Sequence, residues 1–444
     1  ATTEIYTLSL HDALPISRFE ARAVPCRANE ARLRPIPRAW NELTMVKPID
    51  LSVAQENRAD GTRRTISLRN AGSSGADSLE IHIDLIGEVD VPAPDVLDGF
   101  VIGVIFHAMA SGRPLRVHGA LSRSACMNLH EFQAAWMVWE PGRYRQVELI
   151  PDSVVDLPIA TQPPRAISAF SGGVDGSFTA VRHARGWLGN ASYPLHDVAL
   201  VQGFDVPLED DAGFERLVLR IRPLIDALGV RLRLMRTNLK HVARQRWEDS
   251  FGAQIACCLH NFSHLSAYGL MGSGEPYSHI TYPWGSTPAT DYLLSGDRMR
   301  LVLDGSAYSR TEKIEGLSRE PNALNVLKVC WEGSDPGRNC GHCEKCVRTR
   351  LNLLAVGVTE SGCFDEPFDL AEIGRIKLDL YPQYVELATI LEYAAAHGVS
   401  GEWVTLLKRR LAAYKRRAAL NEALASTRGA LASARDRLRA GART

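Results

Sequence analysis

Residues 165–183 read Arg-Ala-Ile-Ser-Ala-Phe-Ser-Gly-Gly-Val-Asp-Gly-Ser-Phe-Thr-Ala-Val-Arg-His. A short apolar run (Ala166, Ile167, Ala169, Phe170) stops at Ser171-Gly172-Gly173, and the pattern predicts a helix from about Ser177. Strand, glycine turn and helix is the arrangement that aims backbone N–H groups and a helix N-terminus at a phosphate. Ser171, Ser177 and the amides between them are donors, while Gly172 and Gly173 permit positive φ and close approach of a ligand to the backbone. The stretch lacks the dinucleotide fingerprint and the Gly-Lys-Ser/Thr ending of a Walker loop. A plain glycine turn is the competing reading, and the rest of the chain has to decide between the two.

Downstream, the pattern predicts a helix to residue 188, a buried strand over 197–204, an amphipathic helix over 215–228 and a strand over 230–236. This alternation predicts an α/β fold: a parallel sheet with right-handed crossovers, flanked by helices, with its ligand outside the carboxyl ends of the strands. A helix over 250–268 carries Cys257, Cys258, His260 and His264; without a third ligand in view the cysteines are expected to be buried small apolar residues and the histidines packed or surface residues. A strand over 269–274 ends in another glycine turn followed by Glu275, Tyr277 and His279, which are expected either to face a substrate or to lie in a surface loop.

Upstream, strands are expected over 65–69, 79–86, 115–118 and 144–150, with helices over 95–110 and 128–140. Together they predict a small α+β domain over residues 45–160, with Trp136 and Trp139 as packing residues. The loop-bearing domain is expected over 165–365 and a helical C-terminal region over 366–444. In that last region a helix broken at Pro382 and a long helix over 401–439 are predicted. Leu424, Leu431 and Leu438 fall seven apart, which points to self-association or docking of a protein partner through that helix.

Cys330, Cys340, Cys343 and Cys346 follow one another at spacings of nine, two and two residues. Four thiolates so spaced suit a closed tetrahedral Zn²⁺ site, and Gly341 permits the tight turn between two of them. An iron–sulfur cluster is the main rival, since four thiolates serve it equally. Lys345, Arg348 and Arg350 are expected to moderate the charge of the thiolates.

The loop resembles the pyrophosphate loop, Ser-Gly-Gly-x-Asp-Ser-(Ser/Thr), of the ATP pyrophosphatases, which split ATP into AMP and pyrophosphate. Ser171, Gly172, Gly173, Asp175 and Ser177 match it; Gly176 stands where that family has serine, one hydroxyl fewer. Loop and cysteines together resemble the 7-cyano-7-deazaguanine synthase family over roughly residues 165–355. Arg310-Thr-Glu-Lys313-Ile-Glu315 resembles that family's lysine-bearing segment. Tyr282-Pro283 falls at its Tyr-Pro-Asp, with Trp284 in place of the aspartate and Asp291 the nearest carboxylate. The added N- and C-terminal regions look like those of longer paralogues, some of them in antiphage defence operons.

The resemblance implies an adenine nucleotide alpha-hydrolase-like fold. It implies ATP bound by Ser171, Gly172, Gly173, Val174, Asp175, Gly176 and Ser177, with adenine at Gln202, Gly203 and Phe204. Lys313, Asp175 and Ser177 would be catalytic, Mg²⁺ would bridge the phosphates with help from Asp175, and structural Zn²⁺ would hold the cysteine segment. The substrate would be a small, deazapurine-like carboxylate, adenylated and then attacked by ammonia or an amine. Related loops also serve tRNA-modifying enzymes, and a catalytically weakened ATP-binding partner protein is the reading from outside enzymology.

The chain has 444 residues with 51 basic and 51 acidic side chains, so no global charge argues for nucleic acid or an anionic membrane. No apolar run is long enough to span a bilayer. Nine cysteines, an odd number with four clustered, do not form a secreted disulfide framework, and a reducing cytoplasm is expected. Residues 1–17 lack a signal peptide's pattern and read like translated adapter sequence, and residues 18–44 like untranslated sequence read in frame. Met45 is the expected start.

Overall fold

The computed structural model describes residues 47–72, 78–157, 164–242, 245–333, 335, 337–379 and 381–441. Residues 1–44, read above as a non-native extension, lie outside this set. Strands β1 (Ile49–Arg58), β2 (Gly61–Arg69) and β3 (Leu79–Ile86) form an antiparallel meander. Helix α1 (Asp98–Ser111) leads to β4 (Leu115–Ser122), parallel to β1, and α2 (Arg123–Trp139) leads to β5 (Leu149–Val155), parallel to β4.

Strand β1 was not foreseen: only its first residues alternate, and the polar run Gln55-Glu56-Asn57-Arg58 hides the period. Strand β5 starts later than the expected 144–150 because Tyr144 is drawn under the helices. Its ring lies 5.2 Å from Phe106 and 5.9 Å from Trp136, and its hydroxyl donates to Asp249 Oδ2 at 2.6 Å.

The loop-bearing half alternates as its sequence pattern requires. It runs β6 (Ala166–Ala169), α3 (Val174–Ala184), β7 (Leu195–Gln202), α4 (Asp211–Leu228), β8 (Arg231–Thr237), α5 (Leu239–Val242), α6 (Trp247–His260), β9 (Tyr268–Gly272), β10 (Arg300–Asp304). Helix α3 begins three residues earlier than expected, and α6 ends at His260 rather than at 268. The five strands pair in parallel in the order β8-β7-β6-β9-β10. The order reverses between β6 and β9, so the crevice of this sheet opens at their carboxyl ends. The loop after β6 and the Ser273–Glu275 segment after β9 line that crevice.

The two halves share one ten-stranded sheet. Its seam is β3 against β8, antiparallel from Ile83↔Thr237 to Ile86↔Leu234, which covers an edge that β8 would otherwise leave unpaired. Helix α1 is apolar almost all round and packs on α6 through two glycines. A Cβ at Gly99 would meet His260 Cβ at 2.3 Å, and one at Gly103 would meet Cys257 Sγ at 2.8 Å. Cys257, Cys258 and His260 are thus core residues, and His260 Nε2 pairs with the Leu294 carbonyl at 2.9 Å.

After the sheet come α7 (Arg310–Leu317), α8 (Glu344–Ala355), α9 (Glu372–Arg375), α10 (Tyr381–Ala396) and α11 (Glu402–Gly441). Pro382 does not break a helix; it is the second residue of α10, where its missing N–H costs nothing. Val347, Leu351, Ile390, Trp403 and Leu407 bury α8, α10 and the start of α11 against one another. The side chains of Leu424, Leu431 and Leu438 lie outside the described residues. Among the described residues no helix is long and apolar enough to cross a membrane.

Candidate active site and metal centre

The chain leaves β6 at Ala169, and Gly172 takes φ +78°, turning the backbone over the end of the sheet. Gly173 is the N-cap of α3 and has no side chain to cap it; the first helical bond is Ser177 N–H to Gly173 O at 3.0 Å. The amides of Val174, Asp175 and Gly176 therefore have no helical acceptor. Ser171 is exposed at the rim, whereas Ser177 is buried and its Oγ has no partner among the described residues.

Two further glycines set how closely the loop packs. A Cβ at Gly272, the last residue of β9, would stand 2.5 Å from the Asp175 carbonyl carbon, and one at Gly176 would stand 3.1 Å from Ala169 O. The missing serine at 176 therefore goes with a first turn seated tightly on the strand end. Gly272→Ala should force that turn off β9 and cost about 3 kcal/mol, read as a lower urea midpoint; an unchanged midpoint would mean the loop moves freely.

Asp175 faces back into the protein. Lys313 Nζ lies 3.0 Å from its Oδ1 and Arg310 donates to its Oδ2 at 2.5 Å. Burial alone would raise this carboxyl, but the two cations outweigh it and hold it down at about 2. Lys313 is 1% exposed and also donates to the Ser273 carbonyl. Each oxygen of Asp175 thus accepts from one cation of the protein.

Arg310 was not singled out in the sequence, nor was Glu386 of α10, which lies 3.6 Å from Arg310 and 3.2 Å from Arg348. Arg348, expected near the thiolates, instead pairs with Glu386 and, at 3.1 Å, with Glu344. Glu275 is buried and accepts from Thr281 N at 2.9 Å, while His279 reaches Glu392 at 3.4 Å. Tyr277 is exposed. Asp291 is buried, bonded to Ser286 Oγ and Thr287 N, and pushed up to about 7 by that burial.

At the end of β7, Gly203 takes φ +108°, and a Cβ there would sit 1.8 Å from Thr237 O, so only glycine lets β7 and β8 end side by side. Gln202 is buried with Nε2 bonded to Pro207 O at 3.0 Å and its Oε1 without a partner among the described residues. Phe204 packs 5.2 Å from Trp247, a residue that sequence reasoning passed over.

Cys330, Cys340, Cys343 and Cys346 bring their sulfurs within 4.8 Å of one another and could hold a metal ion. The Cys330–Cys343 and Cys340–Cys346 sulfurs are 3.8 and 3.9 Å apart. Tetrahedral thiolates about 2.3 Å from one ion stand about 3.8 Å apart. Gly341 takes φ +82° inside the turn, and Cys343 stands at the N-cap position of α8 without a side-chain capping bond. Asn339 ties the segment down: its Oδ1 accepts from Val329 N and Cys330 N at 2.9 and 3.1 Å. Its Nδ2 donates to Leu327 O and Cys363 O at 2.9 and 2.8 Å. The segment also touches the loop, since Lys328 N–H donates to Gly172 O at 2.8 Å.

No protein-family model, no curated protein and no solved structure matches this chain.

Proposed function

We propose that the chain is an ATP-dependent carbon–nitrogen ligase of the ATP pyrophosphatase kind, working in the cytoplasm with zinc on its four cysteines. One observation carries the reading. A glycine turn lies at the reversal point of the sheet, opens on uncapped helix amides, and buries the Ser177 hydroxyl without a partner among the described residues. A phosphate there would accept from those amides, from Ser177 and from Ser171. The zinc assignment, against an iron–sulfur cluster, rests on the sulfur spacing: a multi-iron cluster would hold the thiolates further apart than one ion does.

In this reading a substrate carboxylate oxygen bonds to the α-phosphorus of ATP while the bond to the bridging oxygen breaks, and pyrophosphate leaves on the loop. Ammonia or an amine then bonds to the acyl carbon, loses a proton, and AMP departs with the oxygen. The loop amides and Ser177 stabilise the charge that develops on the phosphates. Lys313 and Arg310 hold Asp175, and with it the first turn of α3, in place. Mg²⁺ carried on the ATP phosphates would neutralise charge there.

The test is incubation with ATP, Mg²⁺, ammonia and a panel of heteroaromatic carboxylates including 7-carboxy-7-deazaguanine. AMP and pyrophosphate are the expected products, and Ser177→Ala should slow AMP release by about 100-fold. Release of ADP and phosphate would refute the mechanism. Tight ATP binding without AMP on any carboxylate would favour the non-catalytic partner, and AMP formed only with tRNA would favour RNA modification.

A further inference from the structure

The basic triplets Lys408-Arg409-Arg410 and Lys415-Arg416-Arg417 repeat after seven residues of α11, so like positions fall on nearly the same side of the helix. The third member of each triplet faces the protein. Arg410 donates to Ile376 O, and Arg417 donates from Nη2 to Leu378 O at 2.8 Å. Those bonds, with Trp403, Leu407 and Leu411 buried below, fix the rotation of the helix. Lys408, Arg409, Lys415 and Arg416 are thereby turned outward, and all four are exposed. No residue three or four places from any of them is acidic, so the helix offers them no ion-pair partner of its own.

Beside this stripe three tyrosine rings are stacked. Tyr414 of α11 lies 5.1 Å from Tyr384 of α10 with 15° between the ring planes, and Tyr384 lies 5.9 Å from Tyr381 with 23°. Lys415 Nζ stands 5.6 Å from the centre of the Tyr384 ring, and the Arg417 guanidinium 5.9 Å from that of Tyr414. These contacts join cations and rings into one surface. The stack ends at Tyr381, which is 54% exposed and has no further ring beyond it among the described residues.

Residues 402–421, with residues 369–384 packed beneath them, carry eight cations and four carboxylates. Two of those carboxylates, Glu372 and Asp369, already lie 2.5 and 3.8 Å from Arg375. The surface is therefore locally positive in a chain of zero net charge. Its two outward cation pairs stand about 10 Å apart along the helix, a spacing that follows a chain of anions rather than converging on one. A membrane surface would call for large apolar residues beside the cations. The exposed face instead carries Thr405, Ala412, Ala413 and Ala419, and Leu420 is its one exposed large apolar residue among those described. An acidic protein segment would neutralise the cations but leave the open ring of Tyr381 without a planar partner, which a base supplies.

We propose that the face formed by α10 and α11 binds single-stranded nucleic acid, with backbone phosphates on Lys408, Arg409, Lys415 and Arg416 and a base stacked on Tyr381. The phosphate contacts carry no sequence information, and a single tyrosine face accepts any base, so binding is indifferent to sequence. This goes beyond the ligase reading and stands without it.

The full chain, without ATP, is titrated with a fluorescein-labelled oligothymidylate of about 16 nucleotides at a series of salt concentrations. A glutamate peptide of equal charge and phosphatidylserine vesicles are the rival probes. Oligothymidylate should bind at least tenfold more tightly than the peptide, and log K should fall against log salt with a slope of about −3. Lys408→Gln, Arg409→Gln and Arg416→Gln together should flatten that slope to about −1 and weaken binding more than tenfold at about 50 mM salt. Tyr381→Ala should weaken binding roughly tenfold with the slope unchanged, and Tyr381→Phe should restore it. Melting temperature checks folding; the three-cation variant touches only exposed side chains and keeps the test open if Tyr381→Ala does not fold. Equal binding of oligothymidylate and peptide would make the face a dock for an acidic protein, and tighter binding to vesicles would make it a membrane contact. Either result overturns the proposal, as does no binding of oligothymidylate or wild-type affinity in either folded variant.

Discussion

Cys346→Ser should leave the chain without bound metal and open residues 330–346 to protease, while the sheet stays folded. A serine hydroxyl stays protonated at neutral pH and replaces a thiolate poorly, so metal affinity should fall at least 100-fold. The three sulfurs left behind have little else to hold them. Cys330 Sγ accepts from Gly333 N–H at 3.2 Å and Cys340 Sγ from Cys343 N–H at 3.3 Å, both weak bonds. Structural zinc contributes on the order of 10 kcal/mol where it organises an entire finger. Here the loss should be local, because the four Asn339 bonds and the two large apolar clusters of the sheet do not depend on it.

The melting temperature should therefore drop far less than the metal affinity, and the first protease cuts should fall between Cys330 and Cys346. Because Lys328 carries the segment onto Gly172 O, ATP binding should weaken in parallel. Elemental analysis and limited proteolysis decide the matter. A variant that keeps one metal per chain and the wild-type cleavage pattern would remove the four-cysteine site from consideration. Iron with a visible absorption band in the native chain would replace zinc by a cluster.

The stretch from β6 to β8 was legible because each element there carries its own period. The apolar run before Ser171 and the amphipathic Asp211–Leu228 helix can be read within single windows. The crevice was legible in the same way, since a strand followed by Ser-Gly-Gly already names a strand end. What stayed hidden depends on pairings across long separations. Nothing local to Leu79–Ile86 says that it will cover the edge of β8, more than 140 residues away. Arg310 and Glu386 look like ordinary charges of amphipathic helices, and only the folded chain brings them to Asp175 and Arg348. Trp247 was passed over for the same reason, as it belongs to no spaced motif.

Asp175→Asn should cost about 3 kcal/mol of stability at pH 7, because it leaves two buried cations without their shared carboxylate. Lys313 keeps only the Ser273 carbonyl, while Arg310 keeps Glu386 at 3.6 Å, so Lys313 bears the larger loss. The contribution of Asp175 as an acid in the first turn of α3, on the order of 0.5 kcal/mol, is small beside this. The carboxyl sits at about 2 in the folded chain against 3.8 for the free group. A depressed folded value adds stability that is fully present above the unfolded value and is lost as pH falls through the folded one. That gap corresponds to about 2 kcal/mol, close to the cost expected of the substitution.

Wild type and variant should therefore differ most above about pH 5 and converge between pH 4 and pH 2, which urea unfolding at a series of pH values will show. Adding Lys313→Met to Asp175→Asn should restore part of the loss, since the double variant no longer buries an unpaired ammonium. A variant within 0.5 kcal/mol of wild type at neutral pH, or a difference that persists unchanged to pH 2, would mean that Asp175 is not held by its two cations. The loop's first turn would then owe its position to Gly272 and Gly176 alone.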